Sequence, residues 1–490
     1  MPSADSGLII SFVVGYLGIC AAIGVWAMRR TASAADFFLA GKSLGPMVVV
    51  MASISSVMSG FGFVGGPGLV YESGSSSLWM AFVCAFSLPT TYVLTGKRLR
   101  LLVEARPILT LPEAVSARYG GILPALAMSL AIFLGVIGYL GTQVLAIGTV
   151  LQAVLGIDLL TALAIGLGVL AFYSIAGGIV AGVYTDLFQG VLMLGAAIAV
   201  LAQCLKVGGG LESMTQTLWA MDPEYFGPWG TRGDLAALSW MLLFGLGAAG
   251  QPHFITKLMM LKDVRRLRWS ALATGSSYLV LATLWMGVGL AMRTVVARGD
   301  HPELENPDLA APTFLLYYTP ELLAGLVFAG LLAAIMSTAD SFLNLGAAAV
   351  VRDVPMAVLG RPLKGELFWS RVATGCLLLL SALFALYMES LIALLGTFGW
   401  GTFAAAIVPS ICIGLNWKRA TGQACVASIA TSIALNFTLE MSARNGLSLL
   451  PPGLAVGAVA LLASTVVFVL VSLATRPRKL APDIDALMDV

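Results

Sequence analysis

Residues 331–344, LLAAIMSTADSFLN, carry two adjacent hydroxyls, Ser337 and Thr338, then a carboxylate, Asp340, and a third hydroxyl, Ser341, within about one and a half helical turns. A second carboxylate, Asp186 in VYTDLFQG, also interrupts an apolar run. Hard oxygens of this kind suit a monovalent cation or a proton. In a membrane helix, Ser and Thr commonly bond back to the carbonyl four residues earlier, which is an ordinary reading of Ser337 and Thr338. An ordinary role for Asp186 is to cap a helix start or pair with a loop Arg. A carboxylate near the bilayer centre, however, costs at least ~2.5 to 3.5 kcal/mol even on insertion scales, so such residues face a polar interior and mark an ion path. Ser337 and Ser341 are four apart and share a helical face, with Asp340 on the neighbouring edge.

The surrounding elements must therefore be membrane-spanning. Of 490 residues, 59% are hydrophobic and 11% charged, and the mean hydropathy is +0.94, far from the composition of a soluble domain. About thirteen segments are apolar enough to span, since each needs roughly 20 residues: 7–28, 44–72, 76–96, 122–151, 159–177, 181–205, 235–258, 270–292, 320–350, 367–388, 390–415, 422–440 and 452–474. Their continuous apolarity, without alternation, excludes a β-barrel. Counting alternate sides, about 22 of the 27 Lys and Arg fall on one face, leaving Lys206, Arg232, Arg293, Arg298 and Arg444 opposite. The positive-inside rule makes the crowded face cytoplasmic. The N-terminus is expected outside and the C-terminus inside, which needs an odd number of spans, and the first helix reads as a retained span. No Lys or Arg is expected in mid-membrane.

Other chemistry has little material. The six cysteines are scattered singly, without metal or disulfide spacing, and the only histidines are His253 and His301. No segment outside the membrane exceeds about 30 residues, too short for an appended catalytic domain. An enzyme is not expected, nor is a nucleic-acid partner.

Two spans look broken. SISSVMSGFGFVGGPGLVYESG holds Gly60, Gly62, Gly65, Gly66, Pro67 and Gly68, and MLLFGLGAAGQPHFITKLMM holds Gly245, Gly247, Gly250 and Pro252. Glycine can serve close helix packing, but this density works against regular helix. Unpaired backbone at membrane depth is tolerated where it lines a cavity. The broken segments are the second and seventh spans, five apart, as in two five-helix repeats of opposite topology with substrate and ions at the midplane.

These features, with DFFLAGKSLG from Asp36, LTLPEAVSARYG from Leu109, GGIVAGVYTDLFQGVLM from Gly177, GLGAAGQPHF from Gly245 and LLAAIMSTADS from Leu331 in that order, resemble the sodium:solute symporter family with its LeuT-type inverted-repeat core, nearest the sodium/proline branch. The resemblance covers essentially the whole chain. It implies an all-α integral membrane protein forming one transporter domain over 1–490: an extra N-terminal helix and loop at 1–43, a first inverted repeat at 44–205, a second at 235–415, and C-terminal helices and tail at 416–490.

The resemblance further implies a Na+ site made of the Ser337 and Thr338 hydroxyls and the carbonyls of Ala334, Ser55 and Met58. Asp186, Asp340 and Ser341 would form a second cation site or a proton site. Relatives commonly carry a serine or other small residue where this chain has Asp340, and one of the two carboxylates could hold a proton instead. For the substrate pocket it implies Tyr139, which matches a substrate-site tyrosine. Phe61 and Phe244 stand in place of tryptophans, and Ala248 in place of a tyrosine. These changes imply a different aromatic-lined pocket and disfavour proline itself. Thr142 and Gln143 could hydrogen-bond a polar group, although Gln143 could equally bridge helices. Sugar-binding side chains are missing at the matching positions.

The expected function is secondary active symport of Na+ with a small organic solute, an amino acid or a monocarboxylate, by a monomer in the plasma (inner) membrane. A proton-coupled symporter using Asp186 and Asp340, a membrane sensory input module and a passive channel are the alternatives. The short tail RPRKLAPDIDALMDV argues against the sensor, and the lack of a filter sequence against the channel.

Overall fold

The computed structural model describes residues 6–29, 44–388 and 391–489. Most of the 1–43 segment beyond the first helix, including nearly all of DFFLAGKSLG, lies outside them. Within the described residues the chain is helical, with α1 (Ser6–Met28), α2 (Pro46–Val57), α3 (Gly66–Ser73), α4 (Ser75–Thr91), α5 (Lys97–Ala105), α6 (Leu111–Tyr119), α7 (Ile122–Leu155) and α8 (Leu159–Gly208). There follow α9 (Leu211–Met221), α10 (Gly233–Gly247), α11 (Pro252–Met259), α12 (Leu267–Ala297), α13 (Ala310–Tyr318), α14 (Glu321–Ala348), α15 (Val354–Leu359), α16 (Glu366–Met388), α17 (Ile392–Ile407), α18 (Gly422–Arg444), α19 (Val456–Ala474) and α20 (Pro482–Met488).

Among the described residues, eleven helices are long and apolar enough to cross a membrane, and a bent pair, α2 with the stretch 61–73, makes a twelfth. The two segments 159–177 and 181–205 fall on one helix, α8, because Gly177 and Gly178 between them cost only about 1 kcal/mol each in a helix and no proline intervenes. Leu159–Phe172 remains as a shorter apolar stretch beside the span Thr185–Gly208.

The second span is broken as expected. Its halves, α2 and the π-helical Phe61–Gly65 leading into α3, are bent by 55°. The break is saturated by side chains: Gln143 of α7 accepts the Gly60 N–H at 2.9 Å and Ser59 Oγ accepts the Phe61 N–H at 3.1 Å. The seventh span is interrupted without a comparable bend. A 3-10 turn, Ala248–Gly250, and an extended Gln251 (φ −81°, ψ 108°) separate α10 from α11.

The innermost scaffold is the ninth and eleventh spans of the sequence reading. The apolar windows of Glu321–Leu359 and Ile392–Asn416 are 83% and 94% buried, against 28% for Gly7–Trp26, which therefore belongs to the periphery. α14 packs on α8, α7 and α1, and α17 packs on α7 and α19. Glycine sets the closest approaches. A β-carbon on Gly399 of α17 would meet the Tyr139 Cα and Cβ of α7 at 2.7 Å. Gly399→Ala should accordingly lower stability by about 1 to 3 kcal/mol, whereas Gly168→Ala, which opens onto empty space, should not. Thermal melts of the two purified variants in one detergent check this.

Candidate functional site

Where α2 ends, its last carbonyls lose their helical partners and turn to α14. Ser337 Oγ donates to the Ser55 carbonyl at 3.0 Å and lies 2.9 Å from the Ala334 carbonyl. Thr338 Oγ1 reaches the Ser56 carbonyl at 2.9 Å, Ala334 at 3.0 Å and Ser55 at 3.5 Å. The back-bonding to Ala334 anticipated for membrane hydroxyls is present, and both hydroxyls also cross to the broken helix. All of these groups are buried. Two hydroxyls and three carbonyls from two helices thus converge, the oxygen-only donor set that a hard monovalent cation takes. Of the expected residues, Ser55, Ala334, Ser337 and Thr338 are brought together. The Ser56 carbonyl is an addition to the expected set, and Met58, where α2 terminates at φ −81° and ψ 86°, lies further along the break.

One expectation is overturned. Lys257 lies within the span Gly233–Met259 and is 2% exposed. Its ammonium donates to Asp186 Oδ2 at 2.7 Å, to the Ala52 carbonyl at 2.8 Å and to Ser56 Oγ. Asp186 therefore neither caps a helix start nor pairs with a loop arginine: it sits inside α8, 1% exposed, neutralised by α11. The sequence signal was a single lysine in an otherwise apolar ITKLMM run. A buried charge persists only when paired and hydrogen-bonded, and three oxygens match the three N–H bonds of the ammonium.

Asp340 faces the same helix one turn earlier. A β-carbon on Gly182 would collide with Asp340 Oδ2, and Gly182 is four residues before Asp186. Asn344 Nδ2 donates to the same carboxylate oxygen at 3.3 Å, with Ser174 beside it. Ser341 Oγ bonds back to the Ser337 carbonyl at 3.1 Å.

The expected pocket residues gather around two aromatic groups. Phe61 stacks on Phe244 with centroids 5.6 Å apart, Trp285 meets Phe61 edge-on at 5.3 Å, and Trp400 stacks on Phe244 at 4.9 Å. Tyr139 packs on Phe342 at 4.8 Å and His253 at 5.9 Å. Ala248 is buried in the 3-10 turn. Gln143 bridges helices through Gly60, while its Nε2, together with Thr142 Oγ1, Trp400 Nε1 and both His253 nitrogens, makes no hydrogen bond to protein. Buried polar atoms ordinarily have partners, so these unpaired atoms are open to a polar partner. His253 and Gln251, in the GQPHF stretch, were within reach of sequence reasoning. Trp285, Trp400 and Phe342 carried no signal that set them apart from other apolar aromatics.

A cavity lined by His253, Thr256, Lys257, Ser341, Asn344 and Asp353 leaves the site on one side. The other side is sealed. Asp308, 3% exposed, accepts the Ile392 N–H at the start of α17 at 2.8 Å. Gly65 lies against the Ala393 nitrogen and Gly68 against the Pro307 carbonyl, so tightly that a β-carbon would come within 2.6 and 2.7 Å. Burial, reinforced by Glu72 and only partly offset by the Ile392 N–H, pushes the Asp308 carboxyl up to about 7.

The profile of the sodium:solute symporter family matches residues 37–431. The chain is 26% identical over 460 residues to the osmoregulated proline transporter OpuE of Bacillus subtilis (strain 168), covering 91% of this chain and 92% of that one. It is 27% identical over 429 residues to the sodium/pantothenate symporter of Escherichia coli (strain K12), covering 85% and 87%. Its fold matches the substrate-bound outward-open state of a Na+-coupled sialic acid symporter with a TM-score of 0.78 at 21% identity, over 97% of this chain and 99% of that one.

Two outcomes follow. Removing one partner of a buried ion pair costs about 3 to 5 kcal/mol, so Lys257→Met and Asp186→Asn should each lower the melting temperature markedly. The double variant should lie well above the sum of the two losses in a thermal double-mutant cycle. The raised Asp308 value means that closure of this end is fully supported below the ordinary carboxylate range near pH 4 and weakens as pH climbs through about 7. At pH 8 the backbone around Ile392 should exchange hydrogen faster than in Asp308→Asn, and at pH 4 the two should exchange alike.

Proposed function

The chain belongs to the sodium:solute symporter family, and from that premise we propose that it takes up a small amino acid or monocarboxylate together with Na+ by alternating access in the plasma (inner) membrane. The observation that carries the reading is the convergence of the Ser337 and Thr338 hydroxyls with the Ser55, Ser56 and Ala334 carbonyls. We assign the Na+ site to Ser55, Ala334, Ser337 and Thr338, with Met58 at the end of the same break, and the solute to the chamber of Phe61, Tyr139, Thr142, Gln143, Phe244 and Ala248. Relatives named as proline and pantothenate transporters support a solute bearing a carboxylate.

The proposed division is a first repeat at 44–205 and a second at 235–415, with the basic-rich face cytoplasmic. In this frame the Asp308 closure is extracellular and the His253–Asp353 cavity faces the cytoplasm. A cation entering between α2 and α14 would replace hydroxyl-to-carbonyl bonds with ion-to-oxygen contacts and fix the angle of the broken helix, which also shapes the chamber through Gly60 and Phe61. One charge falling through 100 mV supplies ~2.3 kcal/mol, and a tenfold gradient ~1.4 more. Together they would concentrate a neutral solute roughly several hundredfold.

A proton-coupled cycle is the second reading. It is favoured by Asp340, which has no ion pair among the described residues while Lys257 is engaged with Asp186.

Uptake of radiolabelled candidate solutes into proteoliposomes separates the readings. Accumulation should require a sodium gradient, and Thr338→Ala should raise the half-saturating sodium concentration about tenfold, as the loss of one ligand worth ~1.4 kcal/mol would. Unaltered sodium dependence in that variant would remove the assignment. Uptake driven by a pH gradient alone, and abolished in Asp340→Ser, would favour protons.

A further inference from the structure

On the basic-rich face, away from the transport chamber, a cleft of ≈ 590 Å³ is lined by Arg106, Ser116, Arg118, Arg478, Lys479 and Ile484. Its charges are unbalanced. Arg106 is paired with Asp483 at 2.7 and 2.9 Å. Arg118, only 5% exposed, gives its N–H groups to the carbonyls of Gly414 at 2.8 Å, Trp417 at 3.0 Å and Lys418 at 3.4 Å. Those bonds use three of its five N–H donors, and its charge has no counter-ion among the described residues. Neither Arg478 nor Lys479 has an ion pair among the described residues, and the carboxylates nearby are already engaged. Asp485 and Asp489 pair with Lys418 at 2.8 and 2.7 Å, and Glu113 pairs with Arg352 at 2.8 Å. The Arg478 guanidinium lies against Gly120, a residue at φ +70°. Three uncompensated cations therefore surround one cleft.

Gly120 is also the rim of a second, apolar trough. It runs between the starts of α7 and α18 and is lined by Ile122, Leu123, Pro124, Val426 and Ala427. Ile122 is 51% and Leu123 67% exposed, an exposure that suits lipid at the first turn of a spanning helix. A basic cleft that opens onto an apolar trough at the membrane surface matches a molecule with an anionic head and an acyl tail, the chemistry of basic pockets between spanning helices on the cytoplasmic side. A soluble phosphate would use the cleft alone.

We propose that the Arg118–Arg478–Lys479 cleft and the Ile122–Leu123 trough bind one anionic phospholipid, its phosphate between the three cations and an acyl chain along the trough. The site joins α6 and α7 to the segment between α19 and α20, so its occupant would tie the tail to the transporter core.

Native mass spectrometry of the full chain in a neutral detergent tests this with three probes: phosphatidylglycerol, phosphatidylcholine and sn-glycerol 1-phosphate. One phosphatidylglycerol should bind at least about tenfold more tightly than phosphatidylcholine, and Arg478→Gln/Lys479→Gln should weaken it by about tenfold or more. The lipid-free melting temperature should stay unchanged, because both side chains are exposed. Leu123→Gln should weaken the lipid from the trough side, and Arg361→Gln/Lys364→Gln, altering another basic pair, should leave it as it was. Equal phosphatidylglycerol affinity in the Arg478/Lys479 variant overturns the site. Displacement of the lipid by glycerol phosphate at equal concentration overturns the lipid in favour of a soluble phosphate.

Discussion

Two hydroxyls on an unbroken helix meet two carbonyls that a broken helix has released, and the rest of the molecule is arranged around that meeting. A regular α2 continuing into α3 would spend the Ser55 and Ser56 carbonyls on its own N–H groups and leave Ser337 and Thr338 to bond back within α14. The break at Met58–Gly60 frees them. In a hydrocarbon surrounding such a break is stable only if each exposed group finds a partner. Gln143, Ser59 and α14 supply those partners here. The bonds that hold this structure use the oxygens that an ion between α2 and α14 would use, so an ion bound there would be linked to the bend of the second span.

Charge is handled by the same rule. Lys257 and Asp186 neutralise each other between α11 and α8, with the backbone of α2 completing the ammonium's shell. This ties the inner halves of both interrupted spans to the helix that carries Asp186, one turn from the carboxylate of Asp340. Two carboxyl groups and one ammonium thus share a small low-dielectric volume. Their arrangement gives a movable cation, or a proton, something to respond to.

Closure at one end of the molecule depends on the absence of side chains. Gly65 and Gly68 let the second half of the second span close on the start of α17 and on the Pro307–Asp308 turn, sealing one end. Phe61, Phe244, Trp285 and Trp400 form an aromatic cluster, and Thr142, Gln143 and His253 carry buried polar atoms without protein partners.

The sequence by itself determined the solvent, the class of fold and the two interrupted spans, because apolar length and glycine density act locally and leave a continuous trace along the chain. It also pointed to Ser337, Thr338, Asp186 and Asp340, since a polar group in a membrane run is conspicuous wherever it ends up. Tertiary structure decided the pairings. Lys257 reads as a single lysine near the end of an apolar run until folding brings it, across 71 positions, to Asp186. Ser56 joins the oxygen set because the break falls just after it. Trp285, Trp400 and Phe342 meet Phe61, Phe244 and Tyr139 only because of how their helices cross. The joining of 159–177 and 181–205 into one helix was likewise invisible, as glycine weakens a helix without dictating where it stops. Local composition fixes what each segment can be, whereas partners far apart in the chain are chosen by packing and by the demand that every buried charge and broken backbone bond be answered.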